Sequence, residues 1–167
     1  YGEDLTENLG LNPFSLKYNC RNTSRIAEYS TRLINLSPSV KMGTPEGAEV
    51  TEILCENGTD AIDELRKLLH RFTIEENISP EQIVILTTNS LQRSLLKEIS
   101  KLGNLTLTDL EPAPNEVKIS TLHRFKGLES DVVILFDENT NSRIGMNHLY
   151  VATSRARALL AVVKIST

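Results

Sequence analysis

Four cations lie beside small polar residues at the predicted ends of strands and helices: Arg21 in NCRNT, Lys126 in TLHRFKGLE, and Arg155 and Arg157 in YVATSRAR. An arginine side chain offers a planar fork of donors that matches the oxygens of a phosphate group. Gly127 follows Lys126, and a glycine lets backbone amides come close to an anion. The pattern indicates phosphate binding, although each cation could instead pair with one of the chain's 22 acidic residues.

Thr121 and His123 open the segment TLHRFKGLE. These side chains could hydrogen-bond to a nucleic-acid backbone, or the histidine could act as an acid or base. No serine or cysteine nucleophile with a recognisable neighbourhood accompanies the histidine, so covalent catalysis receives little support. His70 and His148 show no ligand partners, and we predict no metal site.

The apolar run VVILFDE ends in Asp137 and Glu138, in the manner of a metal-binding strand of a nucleotide hydrolase. However, the sequence contains no G-x-x-x-x-G-K-[ST] motif, which is the phosphate loop of such enzymes. We therefore interpret the two acids as the polar end of a strand that enters a loop.

The composition predicts one domain, because 167 residues with 40% hydrophobic content suffice for one core and are few for two. A net charge of −4 argues against a surface that is basic all over but permits a local basic site. The sequence shows no signal peptide, no apolar run long enough to span a membrane, and no metal-ligand spacing of its two cysteines. We expect a cytoplasmic protein.

Strands and helices alternate along the chain. The predicted strands are FSLKY, AEVTEILCE, IVILTT, VKIST, DVVILFD and LLAVVKI. Helices are predicted after a cap at Asn22 or Thr23, after a cap at Thr59, from Leu91 to a glycine cap at Gly103, and through MNHLYVATSRARA, with a single turn at SPEQ. The run IVILTT is apolar on both faces, which is typical of the middle of a parallel sheet. The sequence thus predicts an α/β fold with helices on both faces of a mainly parallel sheet and with ligands at the carboxyl ends of its strands.

Three segments, in this order, resemble motifs of superfamily 1 helicases of the UvrD, PcrA and Rep type. LKYNCRNT resembles motif IV, TLHRFKGLE resembles motif V, and LYVATSRAR resembles motif VI. The resemblance is to the C-terminal RecA-like motor lobe, domain 2A, and extends from about Asn12 to Val163. It implies a three-layer fold of the P-loop NTPase type, with residues 1–12 as a tail or linker and residues 13–167 as the lobe.

The resemblance also implies roles for individual residues. Arg21 and Arg155 would reach the γ-phosphate of ATP from across an interlobe cleft, and both are assigned as catalytic. Gly127 would lie near the phosphates and Glu129 near the sugar, while Thr121 and His123 would contact single-stranded DNA. ATP and Mg²⁺ would be held mainly by an N-terminal RecA-like lobe of the same polypeptide, so we expect this chain alone to be inactive.

The sequence departs from the family pattern at a few positions. Cys20 stands where the family has an aromatic residue that stacks on the base, Ser130 stands where motif V commonly has an aromatic residue, and Ser154 replaces the usual threonine of motif VI. The short loop DLEPAPNE takes the place of a large insertion. Two other interpretations stay open: a RecA-like interaction module without ATPase activity, and an unrelated α/β phosphate-binding domain.

Overall fold

The computed structural model of the chain describes residues 19–138 and 145–166, which form a seven-stranded sheet with helices on both faces. The helices are α1 (Ser24–Arg32), α2 (Gly58–His70) and α3 (Met146–Thr153). The strands are β1 (Thr51–Cys55), β2 (Ile83–Thr87), β3 (Lys101–Leu102), β4 (Leu105–Thr108), β5 (Glu116–Thr121), β6 (Ser130–Asp137) and β7 (Ala156–Ile165). A π-helical turn, Arg71–Glu75, continues α2, and a 3₁₀ turn, Pro80–Gln82, precedes β2.

The strand order is β1-β7-β6-β2-β5-β4-β3. All neighbouring strands are parallel except the hairpin pair β3 and β4. All five residues of β2 are buried, and this strand pairs with β5 on one side and β6 on the other. The prediction of a central, doubly covered parallel strand is confirmed, as is the α/β RecA-like fold class.

Two apolar clusters cover the two faces of the sheet and give the fold its three layers. On one face, α2 contributes Leu65 and Leu69 to a cluster that also contains Phe72 and Ile85. On the other face, α1 contributes Ile26 and Tyr29, and the segment after β5 contributes Leu122 and Phe125. The segment that carries TLHRFKGLE is therefore anchored in the core by two of its residues.

The predicted helix from Leu91 to Gly103 is wrong. Residues 91–98 form successive turns, and Leu102 lies in β3, which pairs with Leu105 of β4. The carboxylate of Glu138 accepts hydrogen bonds from the Ser94 hydroxyl and the Leu95 amide, and these contacts hold the turns against the end of β6. Gly103 has a φ of 62° in the turn of the β3–β4 hairpin, so its left-handed conformation closes a hairpin and does not cap a helix.

Two other helix boundaries also differ from the prediction. Asn57, and not Thr59, is the N-cap of α2, because its side chain accepts a hydrogen bond from the Asp60 amide. Helix α3 ends at Thr153, so Arg155 lies in the turn before β7 and Arg157 lies within β7. At the start of α1, Thr23 is the N-cap residue but makes no capping hydrogen bond.

Some predictions fall outside the described residues. These are the strand FSLKY, the boundary between residues 12 and 13, and most of the loop ENTNSRIG. The SPEQ turn is present, although Ser79 makes no side-chain capping bond. None of the described helices is long and apolar enough to cross a membrane.

Candidate functional site

Glu129 and Arg155 immediately precede β6 and β7, so they lie at the amino ends of these two parallel strands. The Ser130 amide donates to the Arg155 carbonyl at 3.2 Å, which joins the two strand entries. Arg21 reaches the same place, because its Nε lies 3.1 Å from a carboxylate oxygen of Glu129. Arg21, Glu129 and Arg155 are here called the amino-edge cluster. The expectation that all three motif segments would lie at carboxyl ends of strands is wrong for these three residues.

The turn that presents Arg21 is organised by Asn19. The side-chain oxygen of Asn19 accepts hydrogen bonds from the Arg21 amide at 2.9 Å and from the Asn22 amide at 3.3 Å. The side-chain nitrogen of Asn19 donates to the side-chain oxygen of Asn22 at 2.7 Å. An asparagine that bonds to its own following backbone fixes a turn locally, so the backbone direction of Arg21 is set within NCRNT itself.

Asn22 connects the first motif segment to the third. Its side-chain amide is buried and donates to the carbonyls of Ser154, at 2.9 Å, and Ala156, at 2.5 Å. These two carbonyls flank Arg155 in the chain. The backbone on both sides of Arg155 is therefore fixed by one side chain that neighbours Arg21 in sequence. The sequence pattern indicates Asn22 only as a possible helix cap, because its contacts with residues 154 and 156 depend on tertiary packing.

Arg155 differs from Arg21 in its electrostatic environment. Its side chain is half-buried, and its Nε is buried without a hydrogen-bond partner in the described part of the chain. Within residues 19–138 and 145–166, no acidic group forms an ion pair with Arg155. A buried donor without a partner is costly, and a guanidinium group that lacks an acidic neighbour can pair with an anion from another molecule. Arg155 is thus chemically suited to an anionic ligand.

Glu129 sits between two arginines. Arg21 approaches one of its oxygens at 3.1 Å, and Arg157 approaches the other at 3.9 Å, while Arg157 also lies 3.5 Å from Asp131. All of these side chains are about half exposed, and exposed ion pairs contribute only about 0–1 kcal/mol. A ligand that offers better acceptors can therefore displace Glu129 from Arg21 at little cost.

Gly127 lies two residues before Glu129, in the segment that joins β5 to β6. Its φ is 90°, and no atom lies within 4 Å of the position that a Cβ would occupy. The conformation therefore requires glycine for backbone reasons, whatever lies opposite it. Lys126 is exposed and forms no ion pair with any described residue.

Thr121 and His123 lie on the opposite side of the sheet, at the carboxyl ends of the strands. Thr121 ends β5 and is level with Thr87 of β2, which in turn is level with Phe136 of β6. Phe136 follows Ser130 by six positions in β6, so the two ends of the strands are about 20 Å apart at the usual rise per residue. The structure therefore separates Thr121 and His123 from the amino-edge cluster.

A pocket of about 250 Å³ opens at this carboxyl edge. The rings of His123 and His148 lie on it with centroids 5.6 Å apart in an edge-to-face arrangement. Its other lining residues are Thr88, Asn89, Ser90, Thr121 and Leu122. Sequence analysis treated His148 as an ordinary residue and did not consider residues 88–90, because their proximity to Thr121 depends on the pairing of β2 with β5.

The segment between Thr121 and Glu129 physically joins the two edges. It leaves β5 at the carboxyl edge, anchors itself in the core through Leu122 and Phe125, and enters β6 at the amino edge. Backbone hydrogen bonds from Phe125 to Thr121 and from Leu128 to Phe125 make it a run of turns. The segment is thus a direct covalent connection between the two candidate sites, and Leu122 and Phe125 hold it in the core.

No group of three or more metal-ligating side chains is close enough to bind a metal ion among residues 19–138 and 145–166. Glu138, which ends the run VVILFDE, is buried and anchors the Ser94 turn. Burial raises the pKa of the Glu138 carboxyl above its usual range. Asp137 and Glu138 lie at the end of β6, as the sequence predicts, but Glu138 is buried there and packs at the end of the strand.

Comparison with known proteins agrees with the motif pattern. Residues 116–163 match a family model described as the UvrD-like helicase C-terminal domain, and this range includes motif segments V and VI. The fold is similar to that of the C-terminal domain of a possible DNA helicase from Lactobacillus plantarum WCFS1. That comparison has a TM-score of 0.67 and 22% sequence identity, and it covers 88% of each chain. No curated protein matches the chain.

The two comparisons are independent of each other, since one rests on the sequence of β5 to β7 and the other on the path of nearly the whole backbone. The first gives the family description, and the second shows a shared fold. The resemblance indicated by motif segments V and VI is therefore confirmed: residues 116–163 match the UvrD-like helicase C-terminal domain, and the fold is similar to that of the C-terminal domain of a possible DNA helicase.

Proposed function

We propose that this chain is the C-terminal motor lobe of an ATP-dependent superfamily 1 DNA helicase or translocase. The observation that carries the proposal is the amino-edge cluster, in which Asn22 fixes the backbone around Arg155 next to Arg21 and Glu129. A half-buried arginine with an unpartnered donor, beside a second arginine in a weak ion pair, is a suitable receptor for a phosphoryl group.

In this proposal, Arg155 and Arg21 are catalytic residues that contact the γ-phosphate of ATP bound to an N-terminal lobe of the same polypeptide. Negative charge on the γ-phosphoryl oxygens must be stabilised during hydrolysis, and arginines that do so raise rates by about 10³- to 10⁵-fold in other nucleotide hydrolases. Glu129 would leave Arg21 and accept a hydrogen bond from the sugar, and Gly127 would lie near the phosphates.

The residues present fit the anionic part of ATP but not the metal. The amino-edge cluster supplies two guanidinium groups, whereas the described residues contain no metal-binding group of side chains. Mg²⁺ bound with ATP would neutralise charge on the β- and γ-phosphates, and the N-terminal lobe would supply its ligands and the phosphate loop. This chain's part is to bring Arg155 and Arg21 to the γ-phosphate.

Single-stranded DNA would bind at the carboxyl edge, where Thr121 and His123 lie beside the pocket that His148 also lines. Hydroxyl and imidazole groups are common donors to phosphate oxygens of a nucleic-acid backbone. The segment from Thr121 to Glu129 would then couple the DNA site to the nucleotide site. Loss of the γ-phosphate releases the arginines, and the lobes separate, which would produce a step along the DNA.

The test is steady-state ATP hydrolysis by this chain alone and by a polypeptide that carries both lobes, each with and without single-stranded DNA. We expect no hydrolysis by the chain alone and DNA-stimulated hydrolysis by the two-lobe protein. Hydrolysis by the chain alone would contradict the split site. A two-lobe protein without any ATPase activity would favour the interaction-module interpretation.

A further inference from the structure

A second concave surface lies beside Arg21 and is formed by two segments that are distant in sequence. It is a cleft of about 380 Å³ between the NCRNT turn and the segment from Lys41 to Pro45, with Arg157 at one side. Its volume falls within the range of small-molecule sites in proteins, which is roughly 300–1,000 Å³. We call it the Lys41 cleft; its lining residues are Cys20, Arg21, Asn22, Thr23, Lys41, Met42, Gly43, Thr44, Pro45 and Arg157.

The lining of the Lys41 cleft is strongly biased in charge. Three of its residues are cations, Arg21, Lys41 and Arg157, and none is acidic, although the whole chain has a net charge of −4. Lys41 forms no ion pair with any residue that the structure describes. Arg21 and Arg157 form weak, exposed ion pairs with acids outside the lining. Lys41 is therefore the lining cation that is directly available to an anion.

The cleft is also lined by Met42, an apolar side chain that is not part of the core. Met42 is 98% exposed, the most exposed of the large hydrophobic side chains in the described residues. A thioether is polarizable and packs well against the face or edge of an aromatic ring. A ligand with a polyanionic part and a flat aromatic part would satisfy both the cations and Met42, and a nucleotide has this composition.

The wall that carries Lys41 and Met42 is held in place before any ligand binds. The carbonyls of Pro45 and Glu46 accept hydrogen bonds from the Ser24 and Arg25 amides at the first turn of α1. A Cβ at Gly47, whose φ is 78°, would come within 2.4 Å of the Thr23 side chain, so this close approach requires glycine. Because the wall is fixed to α1, the cleft is preformed.

We propose that the Lys41 cleft is a further part of the nucleotide site, in which Lys41 contacts the phosphates and Met42 contacts the base. This inference rests on the proposed function, because Arg21 belongs both to the cleft and to the amino-edge cluster. The cleft thereby adds contacts that bind the nucleotide in its ground state, whereas Arg155 acts on the reacting phosphoryl group.

The test uses the two-lobe protein and compares Lys41→Ala and Met42→Ala with Lys101→Ala and Met146→Ala as matched controls. Lys101 lies in β3 at the far end of the sheet, and Met146 is the only other methionine in the chain. Contacts made equally in the ground state and the transition state change KM without changing kcat. We therefore expect Lys41→Ala to raise the KM for ATP about five- to tenfold and Met42→Ala about threefold, with kcat within about twofold.

A second measurement separates the two assigned contacts. Inhibition of ATP hydrolysis by inorganic tripolyphosphate, which lacks a base, should weaken in Lys41→Ala and stay unchanged in Met42→Ala. Met42→Leu should recover most of the ATP affinity, because leucine also presents apolar surface to a ring.

The possible outcomes are distinguishable. If the wild-type two-lobe protein does not hydrolyse ATP, the proposed function fails. If it does hydrolyse ATP and neither variant changes the KM by more than about twofold, the cleft is not part of the nucleotide site and this inference is overturned. A loss of single-stranded DNA binding with an unchanged KM would overturn it too and would assign the cleft to nucleic acid.

Discussion

At the scale of single residues, the chemistry of the amino edge depends on an asparagine that is not itself charged. Asn22 places two hydrogen bonds on the carbonyls that flank Arg155, and Asn19 orders the turn that presents Arg21. The flexible part of each arginine is its side chain, while the backbone from which it starts is fixed. A rigid starting point reduces the entropy lost when a guanidinium binds phosphate.

The role of Asn22 leads to a prediction about stability and rate. Asn22→Ala leaves one buried and one partly buried carbonyl without their donor, which should cost about 1–3 kcal/mol in the free energy of unfolding. In the two-lobe protein it should also lower kcat by roughly 10- to 100-fold, because Arg155 loses its positioning. The measurements are urea unfolding and steady-state ATPase at a temperature where the variant is folded.

Two control variants show whether the effect arises from the hydrogen bonds that the side-chain amide of Asn22 donates. Asn22→Asp keeps the size of the side chain but cannot donate, so it should be as defective as Asn22→Ala. Asn104→Ala changes an exposed asparagine in the β3–β4 turn and should alter neither quantity. A full rate with Asn22→Asp would show that the two hydrogen bonds do not position Arg155.

Residue-level sequence reasoning recognised Arg21, Glu129 and Arg155 because each belongs to a motif segment. It did not recognise Asn22 or His148 as parts of these sites. Their partners lie across the fold: Asn22 bonds to residues 154 and 156, and His148 meets His123 only when α3 packs beside the end of β5. Such contacts depend on tertiary pairing, which local spacing does not encode.

At the scale of elements, the turns after β2 show how one buried acid can override a helical pattern. The leucines of residues 91–102 have helical spacing, yet Glu138 holds Ser94 and Leu95 in turns, and Leu102 pairs within a hairpin. Helix propensity is a weak preference that tertiary contacts often outweigh. The strands and the faces of α1 and α2 could be predicted because their burial patterns agree with their local periodicity.

The raised pKa of the Glu138 carboxyl predicts a pH dependence of stability. The folded state binds this proton more tightly than the unfolded state does, so its contribution to stability is present at low pH and is lost as pH rises through the raised pKa. Glu138→Gln keeps an acceptor for Ser94 and Leu95 but cannot ionise. As pH rises, wild type should therefore lose stability relative to Glu138→Gln.

The measurement for Glu138 is urea unfolding of both proteins at several pH values between about 5 and 8. Glu81→Gln is a suitable control, because Glu81 is exposed in the 3₁₀ turn before β2. A stability difference between wild type and Glu138→Gln that stays constant with pH would contradict the assigned burial effect. A difference that changes in the opposite direction would mean that the folded state favours the ionised form.

At the scale of the whole molecule, the two candidate sites lie on opposite edges of one sheet. The amino-edge cluster and the carboxyl-edge pocket are connected by the residues between Thr121 and Glu129. The prediction that both sites would lie at carboxyl ends treated the lobe as a typical open sheet. Any connection between parallel strands runs from a carboxyl end to an amino end, so the short crossover from β5 to β6 brings Glu129 to the amino end of β6.

The acidic net charge and the small size of the carboxyl-edge pocket predict weak DNA binding by the chain alone. Thr121 and His123 can contact only a few phosphates, so affinity for single-stranded DNA should fall steeply as salt rises. Fluorescence anisotropy with a labelled oligothymidine at a series of salt concentrations measures this affinity.

His123→Ala should abolish the remaining binding, whereas His70→Ala, on α2, should not change it. Tight binding at physiological salt would contradict a DNA site divided between two lobes.

The central claim is that Arg155 stabilises charge on the transferred phosphoryl group, and one measurement tests it most directly. In the two-lobe protein, the DNA-stimulated kcat for ATP hydrolysis of Arg155→Ala should fall by about 10³-fold or more, while nucleotide affinity stays within a modest factor. Arg155→Lys should recover little, because an ammonium group lacks the planar fork. Arg66→Ala, on the exposed face of α2, should match wild type. Near-normal turnover in Arg155→Ala would contradict the account. It would mean that YVATSRAR, which joins the end of α3 to the start of β7, has only a structural role.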